Sequence, residues 1–135
     1  MVPRRFTPAE ANEALEEIRP LAEELVRHRR EQRRLQEGRA QLAAKIAGNG
    51  GGIDSQALAD LGQAEQQERV EIARCVNAIH GLGAIVKDLD EGLVDFPAVR
   101  EGEEILLCWR LGEDEVAHWH GLEEGFAGRK QLDPE

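Results

Sequence analysis

Two histidines and a cysteine near the end of the chain carry its sharpest chemical pattern. His118 and His120 are two residues apart, so in a strand both imidazoles project from one face, roughly 7 Å apart along it. Cys108 lies one hairpin earlier. If that hairpin pairs Arg110 with Val116, Cys108 falls opposite His118 on the same face. Cys108, His118 and His120 then form a donor set suited to zinc or iron. A slip of one residue would bring Trp109 to His118 and dissolve the set. A carboxylate from Asp88, Asp90 or Asp95 could complete it. The competing reading is structural: Cys108 as a small buried hydrophobe, with the histidines packed beside Trp119.

Other residues with chemistry cluster in the same third of the chain. Asp95 stands between Val94 and Phe96, where a buried carboxylate needs a partner. Arg100, Arg110 and Arg129 are the candidates, in a structural salt bridge or beside an acid of raised pKa. Asp88-Leu89-Asp90-Glu91-Gly92 resembles half of a calcium loop but lacks the later ligand positions. Aspartates bonded to turn amides, with Gly92 at positive φ, account for it better. Gly125-Phe126-Ala127-Gly128-Arg129 is either an anion-binding loop or a wrap that docks Phe126 on Trp119 or Trp109. Ligand contacts are therefore expected among Asp88, Asp90, Asp95, Arg100, Trp109, Trp119 and Arg129. Farther back, His28 faces Cys75, with Glu68 and Glu71 nearby, as a weaker helix-bundle metal site. No Ser/His/Asp signature, phosphate-binding glycine loop or dinucleotide fingerprint occurs, so the residues name no reaction.

These groups must be positioned by two kinds of element. Thr7-Pro8-Ala9-Glu10 is a helix start: a capping hydroxyl, proline at the first helical position, and a capping-box glutamate. Phe6 can staple onto Ala11. The first helix should run to about Ala47, kinked or broken at Pro20. The glycines at 48 and 50–52 end it. Asp54 or Ser55 can cap a second helix that reaches about Leu82. The short connection makes the two antiparallel. Folding at the glycines pairs Ile46 with Leu58, Leu42 with Leu61, Arg39 with Glu65, His28 with Cys75 and Leu21 with Leu82. After Gly83 the period changes to two. Strands are expected at Ala84–Lys87, Leu93–Phe96, Glu104–Leu111 and Val116–His120, with an irregular tail. The fold class is α+β: a long antiparallel helical hairpin, coiled-coil-like, over residues 1–83. A small antiparallel β-meander of three to four strands follows over 84–135, within a single structural domain.

The string from Lys87 to Pro97, Cys108-Trp109, Leu111-Gly112-Glu113, His118-Trp119-His120 and Gly125–Arg129, with the opening Phe6–Leu21, resembles a bacterial family known as domain of unknown function 2203. The resemblance covers essentially the whole chain. It implies a small bacterial cytoplasmic protein of helical-hairpin type and supplies no activity.

Composition narrows the classes further. The 135 residues carry a net charge of −10, unevenly spread. Residues 1–47 hold 10 Lys/Arg against 8 Asp/Glu, and residues 48–135 hold 7 against 19. That argues against nucleic acid as a partner. The arginines at 27, 29, 30, 33 and 34 read as a solvated or acid-paired helix face. Two distant cysteines fit a reducing cytoplasm rather than a disulfide framework. Neither a signal peptide nor a membrane span is expected. Leu15, Val26, Val70 and Val76 lie off the seam, which suggests a homodimer of hairpins. Two functions follow: a non-enzymatic dimeric protein binding a protein partner or ligand through its C-terminal Trp/His/Asp surface, or a metal-binding protein or metal-dependent enzyme.

Overall fold

A computed structural model of the chain describes residues 4–48 and 55–132. Two helices come first: α1 at Pro8–Gly48 and α2 at Ser55–Gly81. Five strands follow: β1 at Ile85–Asp88, β2 at Leu93–Arg100, β3 at Glu103–Arg110, β4 at His118–Gly121 and β5 at Lys130–Gln131. A 3-10 turn at Phe126–Gly128 separates the last two. The strands form one antiparallel sheet in sequential order, β1-β2-β3-β4-β5. The glycine connection, the Asp54 cap and the last three residues of the tail lie outside the described residues.

The start of α1 forms as its sequence dictates. The Thr7 hydroxyl accepts from the Glu10 amide at 3.1 Å, and the Glu10 carboxylate accepts from the Thr7 amide at 2.9 Å. Pro20 does not break the helix, which runs for 41 residues. It sits on the exposed side, where water can serve the carbonyl left without a partner. The hairpin pairs Arg39 with Glu65 at 3.4 Å, as its folding predicts, and Gln36 and Arg69 also donate to that buried carboxylate. His28 bonds to Glu68 at 2.5 Å.

The meander has five strands rather than three or four. The tail is not wholly irregular, since Lys130 and Gln131 pair with Trp119 and His118. That pairing uses backbone, which leaves no mark in side-chain pattern. β2 runs on past Phe96 to Arg100 and turns back through Glu101 and Gly102, at φ 52° and 81°. Two consecutive positive φ values are the twist-matched hairpin turn. β4 starts at His118 rather than Val116. Val116 is instead held by α1, its amide donating to the Asn12 side chain at 2.7 Å.

One core joins hairpin and sheet. Leu15, Ile18, Leu25 and Val26 of α1 and Cys75 and Ile79 of α2 pack with Val94, Phe96, Leu107 and Trp109. Phe6 adds an edge-to-face contact on Phe96 at 5.2 Å. Thus Leu15 and Val26, which the helical pattern offered to a partner chain, are covered by the sheet. Val76 is partly covered, while Val70 stays 56% exposed.

Candidate metal centre

Strand alternation divides the sheet into two faces. Val94, Phe96, Leu107 and Trp109 face the helices, so Asp95 and Cys108 face away. The register decides what joins them. Asp95 is opposite Cys108, and Cys108 is opposite His118. This is the pairing that brings Cys108 and His118 to one row, and the slipped alternative does not form. His120 is two residues along on the same face, opposite Leu106.

Within this row the side chains sort themselves. The ligand atoms of Asp95, Cys108 and His120 all lie within 4.8 Å of one another. Their residues are 2%, 1% and 3% exposed. His118 is not in the group. Its Nδ1 accepts from the Arg129 guanidinium, which also reaches Glu113 at 2.7 Å.

The hydrogen bonds of His120 orient it. Nδ1 meets the Gly121 carbonyl at 2.8 Å and Nε2 meets Asp95 Oδ2 at 3.0 Å. A carbonyl only accepts, so Nδ1 carries its proton. In neutral imidazole Nε2 then accepts, so the bond to Asp95 is donated by a protonated carboxyl, and the Nε2 lone pair faces the group. The same arrangement fixes histidine ligands in metal sites, where the outer nitrogen donates to a carbonyl or carboxylate.

Burial governs the acidities. It raises the Asp95 carboxyl above its ordinary value, against the lowering effect of His120. Burial, followed by the charge of Asp95, pushes the Cys108 thiol up to about 12. Cys108 is thus a protonated thiol donating to Asp95 rather than a thiolate, and it is no nucleophile at neutral pH. Three donors hold protons among themselves that a divalent cation would displace.

Beside the group is a cavity of about 240 Å³, walled also by Lys87, Glu124, Gly125 and Phe126. Glu124 is held by the Gly121 amide and Lys130, both at 2.8 Å. Sequence reasoning overlooked Lys87 and Glu124. Period-two spacing could have flagged Lys87, which follows Ile85, the residue opposite Asp95.

The remaining candidates are spread over other surroundings. Asp88 Oδ1 accepts from the amides of Asp90 and Glu91, at 2.8 and 3.0 Å, closing the turn as expected. Gly92, at φ 68°, allows no Cβ, which would meet Leu111 at 2.9 Å and Val26 at 3.1 Å. Asp90 binds Arg29 and Arg33, so part of the arginine cluster is acid-paired. Trp109 is fully buried, its Nε1 donating to the Glu113 carbonyl at 3.0 Å. Trp119 lies between Arg100 and Lys130, 4.8 and 4.7 Å from its ring. Phe126 rests against Arg110 and Arg129 rather than on a tryptophan. A second group, Glu24, His28 and Glu71, also brings ligand atoms within 4.8 Å, but half-buried on the hairpin.

A helical hairpin capped by a five-stranded meander, with a buried carboxylate, thiol and imidazole on the sheet's outer face, defines the class. The chain belongs to the family described as uncharacterized conserved protein (DUF2203), whose match spans residues 4–132. Neither the curated proteins nor the solved structures contain a match to it.

Proposed function

We propose that this protein binds a divalent transition-metal ion, zinc or iron, through Asp95, Cys108 and His120. The observation that carries the reading is the convergence of three different donors, from three adjacent strands, within 4.8 Å in a buried site. The bond from His120 Nδ1 to Gly121 supports it. Three protein ligands beside a cavity match metal sites that keep a position open for chemistry. A metal-dependent enzyme is the natural extension. The two free thiols, Cys75 and Cys108, suit a reducing cytoplasm.

The test is elemental analysis of untagged protein purified without chelator. Near-stoichiometric zinc or iron is expected. It should be lost in Cys108→Ala and His120→Ala and kept in His118→Ala, with all three showing wild-type circular dichroism. A folded wild type that holds no metal and takes none up on titration sinks the reading.

A second reading is a non-enzymatic dimer that uses the hairpin as its contact and the Trp119, Arg100 and Lys130 surface for a partner. Exposed Val70 and the half-buried Leu42, Leu58 and Leu61 favour it. A monomeric mass in sedimentation at micromolar concentration would remove it.

A further inference from the structure

We infer that the cavity beside Asp95, Cys108 and His120 is a binding site for a small carboxylate, held between the bound metal and Lys87; this rests on the metal reading above. Charge is the first argument. A divalent ion with one thiolate, one carboxylate and a neutral imidazole is formally neutral. Of the other charged groups on the cavity wall, Glu124 is already matched by Lys130 and the Gly121 amide. Lys87 is not matched. Among the described residues its ammonium makes no hydrogen bond or ion pair, and it acts on Asp95 only through its charge. The cavity therefore carries one uncompensated positive charge beside a Lewis acid, which selects an anion over a neutral ligand.

Size is the second argument. At about 240 Å³ the space falls below the roughly 300–1,000 Å³ of pockets that take drug-sized molecules. A liquid water occupies about 30 Å³, so the space suits a ligand of roughly eight heavy atoms or fewer. A carboxylate of that size can give one oxygen to a metal and the other to an ammonium, and unlike phosphate or bicarbonate it carries a carbon chain. Phe126 and Gly125 supply an apolar side for a short carbon chain.

The experiment uses full-length protein loaded with cobalt(II), read by absorption, with acetate as the probe and acetamide as its neutral counterpart. A thiolate-to-cobalt charge-transfer band reports Cys108 ligation. On this inference acetate shifts the visible cobalt bands saturably and acetamide does not. Lys87→Met should weaken the acetate response at least tenfold and leave cobalt affinity within twofold. If the thiolate band forms but acetate leaves the visible bands unmoved, or Lys87→Met responds like wild type, the carboxylate site is wrong and the metal site stands. If no thiolate band forms in folded protein, both fall.

Discussion

The molecule holds two groups of carboxylate and imidazole, built from the same chemistry and satisfied in opposite ways. On the hairpin, Glu24, His28 and Glu71 lie at a helix–helix surface with their own cation. Arg74 pairs with Glu24 and, at 3.3 Å, with Glu71, while His28 takes Glu68 at 2.5 Å and Glu24 at 3.7 Å. Glu24 and Glu71 remain 30% and 39% exposed, so water serves the rest. On the sheet, Asp95, Cys108 and His120 are nearly dry, and no arginine or lysine bonds to any of them among the described residues. Proximity of ligand atoms therefore does not by itself mark a metal site. What separates the two is whether a side-chain cation is already seated there.

The strongest break of this comparison is metal uptake after Arg74→Met. If the seated guanidinium is what closes the hairpin group, the variant should gain micromolar zinc binding at Glu24, His28 and Glu71, lost again on His28→Gln. Isothermal titration of Cys108→Ala backgrounds isolates that signal, and unchanged uptake would mean that burial alone sets the difference. Stability sharpens it next. His120→Leu strands the Asp95 carboxyl in a dry site and should cost about 3 kcal/mol in urea unfolding. Adding Asp95→Leu should recover part of that loss, because an apolar pair tolerates the site better than a lone acid. His28→Leu, at a wetter site, should cost no more than about 1 kcal/mol; equal losses at the two histidines would erase the contrast. The smallest effect concerns acid. Asp90 is held below its ordinary 3.8 by hydrogen bonds from Arg33 and Arg29. A depressed carboxyl stabilises the fold fully above its unfolded value, and this contribution fades as pH drops through the folded one. Thermal melts of wild type and Asp90→Asn should thus differ at pH 6, and the difference should shrink only as pH falls below 3.8 and through the depressed folded value.

The helices and their pairing were legible because local and global signals agreed. The capping box, the glycine stops and the Arg39–Glu65 seam pair all follow from spacing. The row of Asp95, Cys108 and His118 was legible only as one of two alternatives. Spacing put Cys108 and His118 on one face if Arg110 paired with Val116, and a slip of one residue stayed open until the structure fixed the register. Which histidine joins the group was not legible. It depends on Arg129, which stands just before β5 and bonds to His118, and β5 is a two-residue strand with no alternation to read. The partner for Leu15 and Val26 was also hidden. Helical periodicity says that a face is apolar, not whether a sheet of the same chain or a second copy covers it.

The contact of Phe6 with Phe96, and the 2.7 Å bond from the Phe6 amide to the Pro97 carbonyl, have a consequence for the growing chain on the ribosome. At roughly 5–20 residues per second, the first helix is synthesised seconds before the strand that anchors its start. Until then its apolar stripe has only the second helix for company. A stop codon placed after Gly83 should therefore yield a chain that aggregates or is degraded rather than a stable half.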